Sequence, residues 1–583
     1  MTYEDQPLNE EDKELLDLIY SRLEIFQDKC SPYHEEAKKC REIVHMRDPD
    51  QELNPRAKKK TLQLHTLKST IDNVVADQME NMPEAKLTPE TQATQSYADD
   101  LQDMVHHVFY VANDFEDIQH RRAEDFYVTG TAVTQIAWDD TMDHGKGDIA
   151  IIRYPIEAFL WDAMADDLQD ARAVMKVGWH PMSWYKSHYP DAYKYISADG
   201  ESRSNVGMTD GQADADHGSD EKRALLIEYW YREYKDGKYT INMAYAAGNA
   251  LLEHHKNVYA HGMYPFVIDT MDTIEGRMVG EGLAHQFAPM MRYINRYAAY
   301  IDMNARMSSK GRVLMRKGSG IDPDKFADME NDIVEGDRIV QGEDWAWIQS
   351  APFPGSVAQQ MFQLQTDLKQ DSGANQFTRG ETTGGIISGK AINSLIQAGG
   401  KISHMRTAQL NAGFKKMVEQ VLWLMAEFYD NERLLLMTGH TAKVSDVFGK
   451  TKGAVPPPPY TVQIEVITHD PQRIANQNQM FMEAYTMAAQ AQQNFPLSSL
   501  FEILNLDGKD KILPIIRQNE HYQEQMQQMQ MQLEQMGQQM AGMQKENENL
   551  RMVSNQLTDT LSSVGQESAI VNNARNALSG VSE

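Results

Sequence analysis

The stretch GGIISGKA, residues 384–391, spaces Gly384, Gly389 and Lys390 as in a loop that cradles phosphate. In such a loop backbone N–H groups surround the phosphate and the lysine offsets its charge. A serine or threonine after the lysine holds magnesium. The rest of that apparatus is missing from the sequence. Ala391 follows the lysine and carries no side-chain oxygen. The preceding DSGANQFTRGETT is polar, so it does not read as a buried strand aiming a helix N-terminus at a phosphate. The residues read instead as a glycine-rich loop, with Ser388 capping the helix that follows.

Other candidate chemistry fares no better. His106 and His107 are adjacent and do not share a helical face. Cys30, His34 and Cys40 are one ligand short of a convincing zinc set. Asp210, Asp214, Asp216 and Asp220 have the composition of a calcium loop without its glycine and terminal glutamate positions. They read as a solvated acidic loop, with weak cation binding as the alternative. Asp162, Asp166, Asp167 and Asp170 offer paired carboxylates of the sort a two-metal nuclease uses. No matching lysine or distal acidic strand accompanies them, and a turn joining strands explains them better. No GxSxG elbow is present. The expectation is a protein that is not an enzyme and uses no metal or cofactor.

The chain has 583 residues, 41% of them apolar, which allows roughly two to four domains with ample core. A net charge of -29 opposes tight general binding of nucleic acid, though such a chain could still enclose DNA loosely, because repulsion stops DNA from sticking. Two cysteines are too few for a disulfide framework and suit a reducing compartment. The acidic N-terminus lacks the layout of a signal peptide. The apolar run VLWLMAEFY at 421–429 is broken by Glu427, so no membrane contact is expected. Against this acidic background, residues 283–317 reverse sign. Arg292, Arg296, Arg306, Lys310, Arg312, Arg316 and Lys317 accompany a single acid, Asp302. The reversal fits either a basic helix face meeting acidic neighbours, or contact with phosphate or an acidic partner. Arg379, Lys390 and Arg406 add positive points farther along.

Periodicity supplies the elements that would position these charges. Helices are expected over 8–30, 60–82 and 97–128, the second interrupted by Pro83 and Pro89. Strands are expected over 132–138, 149–154 and 172–178, and a hairpin over 225–245 with Asp236–Gly237 at its turn. Residues 197–222 read as a polar exposed loop. A long helix over 280–309 precedes a small module with strands at 312–315 and 333–340. A second helix follows at 357–371. After the Gly- and Thr-rich 372–388 come a very long helical segment over about 389–438, a strand at 460–467 and a helix beginning near Arg473.

The C-terminal region departs from globular composition. Of the 24 residues in HYQEQMQQMQMQLEQMGQQMAGMQ, 16 are Gln or Met. Tyr522, Met529, Met536, Met543, Leu550, Leu557 and Val564 recur every seventh residue, partnered by Met526, Leu533, Met540 and Leu561. Asn547 and Ser554 fill the same register. This is a sustained heptad. Such a helix would be roughly 64 Å long, with too little apolar area to stand alone, so it requires other helices, most simply copies of itself. A methionine-rich seam specifies oligomer number weakly.

Two quoted stretches and the order of parts carry a resemblance. RYPIEAFLWDAMADDLQDARAVMKVGWHPMSWYKSHYP and GMYPFVIDTMDTIEGRMVGEGLAHQFAPMMRYINRYAAYIDM, with the long helix, strand-bearing insert and returning helix, resemble the bacteriophage portal (head-to-tail connector) family over about 100–430. The C-terminal heptad resembles the helical barrel of large podoviral portals by composition and period.

The resemblance implies an α+β, mainly helical portal fold. Its parts would be a wing at 1–278, stem helices at 279–310 and 357–371, and a clip at 311–356. A tunnel loop at 372–388 would contain Arg379, Glu381, Thr382, Thr383, Gly384 and Gly385. A long kinked helix and return to the wing (389–472), a crown (473–521) and a coiled-coil barrel (522–583) would follow. It implies a homo-oligomer of twelve around a channel for double-stranded DNA, without sequence specificity, at one capsid vertex of the virion. Assembly would take place in the host cytoplasm. The implied partners are the terminase large subunit, the major capsid protein, a scaffolding protein and a tail adaptor. The alternative is a coiled-coil virion structural or scaffolding protein without a DNA channel.

Overall fold

The computed structural model describes residues 6–50, 62–90, 92–198, 222–235, 237–309, 312–315, 345–348, 354–373, 401–431, 456–468, 478–486 and 509–563, with a few isolated positions besides. The chain forms two compact units, Met1–Ile467 and Thr468–Glu583.

Helix α1 spans Glu10–Val44, and the Asn9 side chain caps it by accepting the Asp12 N–H at 2.7 Å. It overruns the expected end at residue 30. Pro32 lies inside it and forfeits one intrahelical hydrogen bond, but the buried stripe continues through Ala37, Cys40, Ile43 and Val44. Helix α2, Thr66–Glu80, buries Leu67, Ile71, Val74 and Val75. Strand β1 (Asn81–Pro89) follows where the two prolines had suggested a plain interruption. The expected helix over 97–128 is two helices, α3 (Ala98–His106) and α4 (Phe115–Thr129). A π turn at His107–Ala112 and the left-handed Asp114 divide them.

Strands β2 (Thr131–Asp139) and β3 (Asp148–Tyr154) lie where alternation places them. The next segment holds the short β4 (Phe159–Trp161) and the turn carrying Asp162, which pairs with Arg172 at 2.6 Å. That pair bears out the turn reading of the aspartates. Strand β5 (Ala173–Pro181) and helix α5 (Met182–His188) precede the hairpin β6 (Arg223–Lys235) and β7 (Lys238–Ala247). Lys235 opposite Lys238 confirms the two-residue turn. Strands β8 (Ala250–His255) and β9 (Phe266–Thr270) were not expected. Two antiparallel sheets result, β3-β2-β9 and the meander β4-β5-β6-β7-β8.

Helix α6 (Leu283–Ser309) leads to β10 (Arg312–Met315), which pairs antiparallel with β11 (Trp345–Ile348). The strand expected at 333–340 lies outside the described residues. Helix α7 (Gly355–Asp371) returns onto α6. Helix α8 (Lys401–Phe428) is the described part of the long segment, and β12 (Tyr460–Thr468) pairs with β1. In the second unit residues 478–486 are helical, and α9 spans Lys509–Ser563. The architecture of the described residues is α+β and largely helical, and none of their helices is long and apolar enough to cross a membrane.

One core joins the two sheets to α1, α3 and the second half of α8, through residues such as Phe109, Phe159, Phe266 and Phe414. A second joins α2, α4, α6 and α7. Both cysteines are free and buried.

Two histidines in this unit are kept neutral. His34 donates Nε2–H to the Phe159 carbonyl at 3.1 Å. Burial, with the nearby Arg41 charge, pushes its pKa down to about 4. Burial likewise pushes His261 down to about 4, and its Nδ1 accepts the Met263 N–H. An unfolded histidine titrates near 6.5. The unfolded chain therefore binds protons first, and this contribution to stability is complete above pH ~6.5 and lost as pH falls towards ~4. Urea midpoints at pH 7 and 4.5 are expected to differ less in a His34→Gln, His261→Gln protein than in the natural one. An equal difference contradicts the assignment.

Candidate channel and partner-contact surface

The basic segment begins on α6. Leu283, Ala284, Phe287, Ala288, Met291, Ile294 and Ala298 recur at helical spacing and are buried. Tyr293 is 51% exposed, and Tyr300 and Met303 are also open. Pro289 lies within the helix.

The sequence-predicted cations divide. Arg292 grips Asp48, with Nε 2.8 Å from Oδ2 and Nη2 3.1 Å from Oδ1, and Nη2 also reaches Asp50 Oδ2 at 3.0 Å. Hydrogen bonding to Asp48 raises its pKa. This residue therefore ties the segment after α1 to α6, a bond that sequence gave no sign of. Arg296 places its guanidinium 5.2 Å from the Tyr293 ring centre, and Tyr297 lies beside Tyr293. Arg306 is in the last turns of α6, and Arg312 begins β10 opposite Ile348. Lys310, Arg316 and Lys317 lie outside the described residues, as do Arg379, Glu381, Thr382, Thr383, Gly384 and Gly385. The GGIISGKA stretch lies outside them as well.

Arg406 requires a correction. It was expected to add a positive point beside the basic segment, but it is 4% exposed. Its Nη1 donates to the Ser372 carbonyl at 2.7 Å, and Asp272 lies 3.7 Å from Nη2. It fastens the end of α7 to α8 and to the approach to α6, where Gln286 also bonds Asp272. Ser403 to Asp77 and Thr407 to Gln78 join α8 to α2. The frame around the α6–α7 pair is thus tied by polar bonds from three directions.

The buried clamp that sequence reasoning missed lies deeper. Arg122 on α4 is fully buried and forms a two-pronged pair with Asp269 on β9, both contacts 2.6 Å. It also donates to Gln119 and to the Leu410 carbonyl of α8, each at 2.7 Å. In sequence Arg122 sits in QHRRAED and looks like an ordinary charge on a helix surface.

On α9 the heptad residues Tyr522, Met529, Met536, Met543, Leu550 and Leu557 are all more than half exposed. Val564 lies outside the described residues. Among the described residues no group of three His, Cys, Asp or Glu side chains is arranged to hold a metal.

The family model described as Phage P22-like portal protein matches residues 22–556. The chain belongs to that family. Portal proteins of this kind are structural and non-catalytic, and membership gives the chain a general role in DNA packaging through a portal. No curated protein matches the chain.

Proposed function

We propose that copies of this chain form a ring, twelve by family analogy, around an axial channel that passes double-stranded DNA during packaging and ejection. The ring occupies one capsid vertex among major capsid and scaffolding proteins. In this reading residues 1–278 are the wing, 279–310 and 357–371 the stem, and 311–356 the clip. The clip docks the terminase large subunit and then the tail adaptor. Residues 372–388 form the tunnel loop, 389–472 the long helix and return, 473–521 the crown and 522–583 the barrel. The observation that carries the reading is the family match across nearly the whole chain. The run of α6, the β10–β11 pair and the returning α7 supports it.

The mechanism is mechanical and electrostatic. An acidic chain repels duplex DNA and keeps it mobile, while Arg296, Arg306, Lys310, Arg312, Arg316 and Lys317 supply local attraction to phosphate or to an acidic partner. Arg292 enters as a clamp on Asp48 and Asp50. Thr382, Thr383, Gly384 and Gly385, between Arg379 and Glu381 on one side and Ile386 on the other, form a constriction that glycine keeps easy to move. Negative-stain images of the purified protein test the proposal. Rings with an axial hole are expected, and rods without one contradict it.

A further inference from the structure

We propose that Lys176 and Gln135 react with each other to form an isopeptide bond, with Glu228 as the proton carrier, and so staple the two larger sheets of the first unit together. The inference stands apart from the ring reading and needs only the folded subunit.

The three side chains come from three strands. Lys176 on β5 is the cross-strand neighbour of Glu228 on β6. Gln135 comes from β2, in the other sheet. Lys176 Nζ lies 2.5 Å from Glu228 Oε2 and donates to Gln135 Oε1 at 3.1 Å. Gln135 Nε2 donates to Glu228 Oε1 at 2.7 Å. An ammonium only donates and a carboxylate only accepts, so the triangle fixes which end of the amide faces which partner. Trp230 Nε1 also donates to Glu228 Oε1 at 2.8 Å, and the Tyr154 hydroxyl accepts from Nζ at 3.1 Å. Gln135 and Glu228 are buried, and the Lys176 side chain is 21% exposed. A simple buried ion pair needs only the lysine and the glutamate. What marks this one is an amide bonded to both.

Burial disfavours the ammonium, but Glu228 and Tyr154 more than offset it and hold the Lys176 pKa up. Before reaction the proton therefore sits on the lysine. Passing it to Glu228 Oε2 turns two charges into two neutral groups, which a buried site tolerates better than water does. The freed amine is then a nucleophile. The amide carbon is one bond of ~1.2 Å from Oε1, so a small turn of the amide brings it into the near-attack range of ~3–3.5 Å. Nζ bonds to the Gln135 carbonyl carbon, and the bond from that carbon to Nε2 breaks. Of the three protons on the ammonium, one stays on the new amide. Two pass through Glu228 to Nε2, which departs as ammonium and leaves Glu228 a carboxylate again. No oxidant or co-reactant is needed. The product ties β2 to β5 covalently in a chain whose two cysteines are both free.

Mass spectrometry of the full-length protein tests this. After days in the folded state the natural chain is expected to weigh one ammonia less than its sequence requires. Trypsin is expected to release residues 123–146 joined to residues 173–186, with the chain uncut after Lys176. Gln135→Met keeps the ion pair and is expected to have its full mass. Glu228→Gln keeps the shape and removes the proton carrier. It is expected to link about 100-fold more slowly or worse, the lower end for general acid–base catalysis. Natural protein at full mass overturns the proposal, whatever the variants do. A missing ammonia that maps outside the two joined peptides overturns it as well. Linking of Glu228→Gln at the natural rate overturns the role given to Glu228.

Discussion

Replacing Arg122 with methionine is expected to destabilise the first unit by about 3–5 kcal/mol, the range for breaking a buried ion pair from one side. Neither partner has any solvent exposure. Loss of the guanidinium leaves the Asp269 carboxylate without its two 2.6 Å contacts. Gln119 and the Leu410 carbonyl lose their bonds to Arg122 as well. The site cannot relax by moving α8 inwards, since Gly413 of α8 is already packed on the pair. A Cβ there would lie 1.6 Å from Asp269 Oδ1. The urea midpoint of the Arg122→Met protein is the measurement. Adding Asp269→Leu is expected to recover part of the loss, because an apolar pair no longer strands a charge. A single variant within about 1 kcal/mol of the natural protein, smaller than any one-sided break of a buried pair, contradicts the clamp. A double variant no better than the single contradicts it too.

The second large effect is expected at Gly282, where the approach to α6 crosses the end of α4. A Cβ on Gly282 would sit 2.1 Å from the Val128 carbonyl oxygen and 2.5 Å from its carbon. Both are backbone atoms, which cannot swing aside as a side chain does. Gly280 is equally confined, its Cβ position 1.9 Å from the Met271 carbonyl oxygen. Gly282→Val is therefore expected to cost about 3 kcal/mol or more, the upper end for overpacking, and to displace the start of α6. Because α6 carries the basic segment and packs on α7, rings are expected to be lost with it. Gly355→Ala at the start of α7 meets nothing within 4 Å and serves as the control. A Gly282→Val protein that assembles and unfolds like the control contradicts the close approach.

Much of the fold was legible because its signals are local. Alternation placed β2 and β3, and Asp236–Gly237 placed the β6–β7 hairpin. The helical stripe of 280–309 placed α6. What escaped depends on distant partners. Strand β1 contains Pro83 and Pro89, which read as breakers. In a two-stranded pair with β12 a proline costs little, because one edge needs no ladder bond. Strand β11 is only Trp345–Ile348, too short for a period to show, and its pairing with Arg312–Met315 is set across a long insertion. The same holds for charge. Arg292 finds Asp48 244 residues away. Arg122 finds Asp269 147 residues away. Sequence spacing cannot separate such spent cations from open ones. The basic character of residues 283–317 was therefore readable, whereas the division of labour among its arginines was not.

The most direct measurement is a reconstruction of the purified oligomer at a resolution that separates helices. The account predicts closed rings in which Leu283–Ser309 and Gly355–Asp371 of every subunit stand together around an open axis. Subunits joined without a passage, or an axis lined by other parts of the chain with α6 and α7 apart, would contradict it.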